Sequence, residues 1–190
     1  EPRDHALLSA LGANFDVVPI AANWWVEPGS GPPPAATRDL DVAMVAAWAG
    51  IKRHWRFFAA LADLRRRGHV LKVALVGYPG DRTRADIETL ARQYGIIDQL
   101  EIHERIPEEA VRRILARSKI HVLWSRREAS GRAIIEALLA DTPVIVREGL
   151  TFGHRYPYIN AQTGRFVREN ELADAMLDMI ASRDQFSPRR

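Results

Sequence analysis

Short apolar runs rich in Val and Ile alternate with longer stretches of helical period over most of this chain. The runs are Asp41 to Ala47, Lys72 to Gly77, Leu100 to Ile106, Lys119 to Trp124 and Pro143 to Val146, lengths that suit buried strands. Helical spacing predicts helices over Arg53 to Arg67, Arg82 to Tyr94, Glu108 to Ser118, Gly131 to Ala140 and Leu172 to Ser182. Gly68, Gly95 and Asp141 sit near three helix ends, the two glycines where a left-handed residue fits. Repeated strand-helix units make a parallel sheet, and right-handed crossovers wind it into an open, Rossmann-like, doubly wound α/β fold. Such folds bind ligands outside the carboxyl ends of their strands, so functional residues are expected just after each strand.

The first forty residues read differently. Gly29 to Thr37 concentrates Gly, Pro and Ala and is expected to be an extended connector. Before it, Ala6 to Leu11 suits one or two helical turns, and Phe15 to Ile20 a short strand stopped by proline. The expected division is therefore 1–40, the end of a preceding domain plus connector, and 41–190, a ligand-binding domain. Hydrophobic residues are 47% of the 190 and charged residues 27%, which excludes wholesale disorder and fibrous classes. The net charge of +3 is spread along the chain, so no basic stripe points to nucleic acid. With no cysteine there is no disulfide framework, thiolate nucleophile or cysteine-ligated metal. No apolar run approaches the roughly 20 residues needed to span a bilayer, and Glu1 to His5 lacks a signal-peptide pattern. We expect a cytoplasmic protein, or one peripheral to the inner face of a membrane, and a piece of a longer chain.

The densest chemistry lies in Ser125 to Ile145, which runs from a strand end through a loop, along a helix and into the next strand. Glu128 is in the loop and Glu136 about two helical turns later. Ser130 is the expected N-cap. Gly131 removes side-chain bulk where the backbone N–H groups of the first turn can meet an anion. Two carboxylates flanking a free helix N-terminus suit a sugar diphosphate with a ribose. Either glutamate taken singly is more simply a solvated surface residue; their shared placement after a strand is what points to a ligand. Gly77-Tyr-Pro-Gly80 lacks the Gly-Lys-Ser/Thr ending of a phosphate-binding P-loop, and there is no G-x-G-x-x-G or G-x-S-x-G, so triphosphate hydrolysis, NAD chemistry and hydrolase chemistry lose ground. Asp39-Leu-Asp41 precedes a strand and reads as strand-entry polarity. The histidines show no ligand spacing, so neither a metal nor a cofactor is expected.

The stretch E-A-S-G-R-A-I-I-E-A-L-L-A-D-T-P-V-I from Glu128 to Ile145 resembles the E-G-F-G-x-x-x-x-E-A-x-A-x-G-x-P-V-I of the retaining GT-B glycosyltransferases of glycosyltransferase family 4. The likeness extends more loosely over Asp41 to Ser182, and Thr163 to Val167 is similar to the family's T-G-x-L-V. The resemblance implies the C-terminal half of a GT-B enzyme, with a nucleotide sugar as partner and an acceptor domain missing on the N-terminal side. It implies that Glu128 holds donor-sugar hydroxyls, Glu136 the ribose, and the Ala129-Ser130-Gly131 backbone the sugar and diphosphate. Lys52 matches the family lysine that holds the diphosphate. The family's partner arginine has no counterpart, since Ala46 and Ala47 stand near its place, and Arg53 is the expected substitute. Gly77 and Arg105 follow strands on the same expected edge. The family's Gly-Phe pair is Ala129-Ser130 here, which bears on sugar preference, and its later glycine is Asp141. Two other readings stay open: a flavodoxin-like module that binds a phosphorylated ligand without chemistry, and a structural domain that kept the fold and lost the donor. Whether Glu128 and Glu136 face one cleft discriminates the flavodoxin-like module from a donor domain.

Overall fold

The computed structural model describes residues 2–12, 16–18, 26, 37–128, 130–150 and 158–189. Six strands, β1 (Leu40–Val45), β2 (Val73–Gly77), β3 (Leu100–Glu104), β4 (Ser118–Leu123), β5 (Val144–Arg147) and β6 (Gly164–Val167), form one sheet in the order β3-β2-β1-β4-β5-β6. All pairings are parallel. The expected Rossmann-like α/β architecture is present, with the reversal of strand order between β1 and β4. The helices are α1 (Pro2–Ala10), α2 (His54–Arg66), α3 (Arg84–Gln93), α4 (Glu108–Arg117), α5 (Arg132–Leu139) and α6 (Leu172–Ala181).

Alternation along each strand divides the core between the two faces. Val42, Met44, Val73, Leu75, Ile120, Val122 and Ile145 join the cluster formed with α2, α3 and α6, whereas Ala43, Ala74, Val76, Leu123, Val144 and Val146 join the one formed with α4 and α5. Helix α2 packs Phe57, Phe58, Leu61 and Leu64 into the first cluster, and α5 packs Ile134, Ala137 and Leu138 into the second. Buried on both faces, the central strands read as continuous apolar runs, which is why the sequence pattern found them. Strand β6 is an edge strand whose central Arg165 and Phe166 are exposed, so it lacks such a run and was not among the expected strands.

Local signals place the helix ends. Thr83 and Asp86 form a capping box at α3, and Gly68 and Gly95 take φ of 87° and 67° after α2 and α3. Asp141 holds φ 57° after α5, where Thr142 N donates to Ala137 O at 2.9 Å and Asp141 N to Leu138 O at 3.0 Å. That is a Schellman closure with aspartate where glycine is usual, so the turn survives the change from the family's glycine. Asp39 pairs with Arg117, and Asp41 with Lys119 at 2.7 Å, at the amino end of β1, in keeping with strand-entry polarity.

Two expectations for the first segment change. The N-terminal helix is longer than one or two turns because Pro2 starts it, a position where its missing N–H costs nothing. Asp16 to Val18 form no strand. Most of the Gly29 to Thr37 connector lies outside the described residues. Among the described residues, no helix is long and apolar enough to cross a membrane.

Candidate functional site

A cleft of about 430 Å³ opens at the carboxyl edge of the sheet, over the reversal point between β1 and β4. Its floor is Val45, Ala46 and Ala47 after β1, with Val76 and Leu123 beside them. Gly77, Tyr78, Arg105 and Ile106 line one side; Glu128, Ser130, Gly131, Arg132 and Glu136 line the other, with Lys52 among the lining residues. Gly77 is needed for packing as well as for its place in the lining. A Cβ there would run into the carbonyl oxygen of Ala46 and the indole of Trp48, which is fully buried and bridges to Pro79. The loops after β1 and β2 are thereby held close.

The loop after β4 is fastened to the 3-10 turn Gly50–Lys52. Arg126 N donates to Ile51 O at 2.8 Å, the Ser125 hydroxyl lies 2.8 Å from Arg127 O and 3.3 Å from Ile51 O, and Arg147 Nε donates to Ser125 O at 3.1 Å. Asp81 accepts from Gly50 N at 2.9 Å and anchors the turn from the other side. These contacts bring Lys52 and Glu128, 76 positions apart in the chain, into a direct ion pair. Glu136 is the second carboxylate. It is only 8% exposed and pairs with Arg132 Nε at 2.8 Å; Arg132 also reaches Glu108 on α4 at 2.7 Å. Burial pushes the Glu136 carboxyl above the usual range, against the opposing pull of Arg132.

Helix α5 begins as α2 does and unlike α3 and α4. Its N-cap is Gly131, at φ 56° with no side-chain cap, and its first turn carries no acidic residue, while α3 has its capping box and α4 opens on Glu108 and Glu109. Ser130 is therefore not the cap. The left-handed backbone needed at this sharp entry favours glycine, and Ser130 lines the cleft one residue earlier. Among the described residues the first N–H groups of α5 have no side-chain acceptor, and they can receive an anion. Ala129 lies outside the described residues.

Of the remaining expected site residues, Arg105 lines the cleft. Its backbone is left-handed at φ 49°, its N–H donates to Gly77 O at 2.9 Å, and its guanidinium has no ion pair among the described residues. Arg53 is not among the lining residues. Its φ of 56° ends the 3-10 turn and caps α2, and its guanidinium takes both oxygens of Glu169 at 2.7 and 2.8 Å. Direct donor contact by Arg53 is thus not supported by its place. Sequence reading passed over Tyr78, Glu108 and Arg132. The Arg132–Glu136 spacing of four was a legible helical pair, but nothing in the sequence ties Glu108 to it. Among the described residues, no group of three or more His, Asp or Glu could hold a metal ion.

Fold and cleft together define a Rossmann-like domain with a cleft at its topological switch point. The family model described as glycosyl transferases group 1 matches residues 32–187, and the chain belongs to that family. Its fold is that of one half of a GT-B glycosyltransferase. Similar solved structures include S. aureus TarM in complex with fondaparinux, alpha-GlcNAc-glycerol and UDP (TM-score 0.72, 13% identity, covering 94% of this chain and 36% of that one). Another is sucrose-phosphate synthase from Thermosynechococcus elongatus (TM-score 0.70, 21% identity, covering 97% and 48%). A third is the C-terminal domain of the glycosyl transferase group 1 family protein LpcC from Francisella tularensis (TM-score 0.63, 18% identity, covering 86% and 88%). The chain thus spans about a third to a half of TarM and the synthase, and most of the LpcC domain. The comparison with curated proteins finds no match.

Proposed function

We propose that this chain is the donor-binding half of a two-domain glycosyltransferase that moves a hexose-like unit from a nucleoside diphosphate sugar to an acceptor, with retention at the anomeric carbon. The observation that carries the reading is that Glu128 and Glu136 line one cleft, on either side of a bare helix N-terminus. A flavodoxin-like module that holds only a phosphate has no need of two carboxylates there. In this reading Glu136 accepts from the ribose hydroxyls, the first N–H groups of α5 and Lys52 hold the diphosphate, and Glu128 accepts from the donor sugar. Lys52 and the helix mouth would stabilise the charge that grows on the departing diphosphate, most strongly once water is excluded. That TarM, of the same fold, is described with UDP adds support. The acceptor site and part of the catalytic machinery belong to a preceding domain, so the chain alone is expected to bind donor without turning it over.

Titration calorimetry with UDP, GDP and ADP, and with their glucose or mannose conjugates, tests this. Saturable binding should fall by about 1.5–3 kcal/mol in Glu136→Ala, the size of a hydrogen bond to a charged group. Glu128→Ala should weaken the sugar conjugate while leaving the free diphosphate nearly unchanged. Equal losses for both ligands in Glu128→Ala would contradict the division of roles, and no binding by the wild-type chain to any nucleotide would remove the reading.

A further inference from the structure

Arg132, the first residue of α5, joins two helices across the side of the cleft. Its Nε lies 2.8 Å from Glu136 Oε1 and its Nη2 2.7 Å from Glu108 Oε1. Two features separate this bridge from an ordinary helix pair. A cation in the first turn meets the positive end of the helix dipole, which offsets what the i,i+4 pair adds to the stability of α5. The two carboxylates are also unequal. Glu108 has a second cation, Arg112, at 2.5 Å, and keeps a partner whether or not Arg132 stays; Glu136 is buried and has Arg132 as its ion-pair partner.

The formal charges lining the cleft balance, with Lys52, Arg105 and Arg132 against Glu108, Glu128 and Glu136. A ligand with two adjoining phosphates enters such a site at low cost only when cations already paired inside it can be re-paired, because an uncompensated buried charge is expensive. Arg132 allows that exchange. A ribose diol donates to Glu136 in place of the guanidinium, and the released guanidinium presents its planar fork to phosphate oxygens at the mouth of the helix it begins. Arg105, the other unassigned cation, has no carboxylate to give up among the described residues and stands after β3.

We propose that Arg132 is a donor-binding residue that exchanges Glu136 for the diphosphate, serving beside Lys52 as the second cation on the leaving group, with Glu108 as the competing carboxylate. The proposal rests on the donor-domain reading and adds a consequence that reading lacks. Ribose and phosphate recognition are coupled through one side chain. A nucleoside must displace Arg132 from Glu136 and offers it no anion in return, whereas a nucleoside diphosphate offers one. Only ion pairs and hydrogen bonds change; no covalent step is involved.

The test is calorimetric titration of the wild-type chain, Arg132→Ala, Arg132→Lys and Glu108→Gln with uridine, guanosine and adenosine and with their diphosphates, each variant checked for folding by circular dichroism. Arg132→Ala is expected to bind the diphosphate at least tenfold more weakly and the nucleoside severalfold more tightly. Arg132→Lys should fall between, since a point charge replaces a fork. Glu108→Gln should tighten the diphosphate severalfold by removing the competitor. A loss of the same factor for nucleoside and diphosphate in Arg132→Ala would show that Arg132 only holds Glu136 in place, and would overturn the proposal. So would an unchanged diphosphate affinity in Arg132→Ala, or weaker binding in Glu108→Gln. Should the wild-type chain bind none of the diphosphates, the donor-domain reading itself fails, an outcome distinct from these.

Discussion

At the amino ends of β1, β4 and β5, Arg38 and Arg183 close on Asp141; at the carboxyl ends, Lys52 meets Glu128 and Arg132 meets Glu136. Both edges hold poorly exposed charge, but they satisfy it in different ways. Arg38 reaches Thr142 Oγ1 at 2.8 Å, Asp141 O at 2.9 Å and Ser118 O at 2.5 Å, while Arg183 takes Asp141 Oδ2 at 2.9 Å. The Thr142 hydroxyl continues to Leu115 O at 2.7 Å. Backbone carbonyls supply most of these acceptors, and burial beside Arg183 pulls Arg38 down to about 10. At the carboxyl edge each pair is side chain to side chain beside an open cleft, and Arg105 has no carboxylate partner among the described residues. A network closed through the backbone specifies structure, whereas pairs that exchange partners without unfolding anything are suited to a ligand.

Substitutions at the two edges should sharpen this contrast. The largest loss of stability is expected for Asp141→Ala, about 3 kcal/mol in denaturant unfolding, since it leaves two poorly exposed guanidiniums facing each other and puts alanine at a positive φ. Asp141→Gly should be milder by about 1 kcal/mol, because glycine tolerates that backbone; equal losses would mean that the turn is not strained. Next comes Gly77→Ala, at about 1–3 kcal/mol from forced overpacking against Trp48, with nucleotide affinity falling as the lip of the cleft shifts. Lys52→Ala should cost about 1–2 kcal/mol of stability, less than Asp141→Ala because the stranded Glu128 borders the cleft, while sharply weakening diphosphate binding. If Lys52→Ala unfolded the chain as readily as Asp141→Ala, the contrast between the edges would be broken.

A separate test is the pH slope of stability. His121 in β4 and His54 at the start of α2 are buried, and burial lowers them from 6.5 to about 3 and about 4. The unfolded chain therefore binds protons first as pH falls, so stability is complete above about pH 6.5 and declines from there toward the folded values. Thermal midpoints measured from pH 7.5 to 4 should drop accordingly, and His121→Gln should flatten part of the slope. An unchanged slope would show that His121 is not the neutral buried group.

The sequence by itself determined five of the six strands, the helices that cross between them, the parallel sheet and the edge where ligands are expected. Those features rest on periodicity and on strands buried from both sides, which are local properties of the chain. It also marked Glu128, Gly131 and Glu136, whose spacing lies within one loop and one helix. Only the tertiary structure decided which distant groups meet. Lys52 reaches Glu128 because two loops are stitched through Ile51; Arg53 is drawn away by Glu169, 116 positions later; Glu108 joins Arg132 because α4 packs beside α5. Ion pairs carry no periodicity, and their partners are chosen by packing from many equivalent charges along the chain. β6 stayed hidden for a related reason: an edge strand with two exposed central residues leaves no apolar run, and its pairing with β5 forms only once the sheet is assembled.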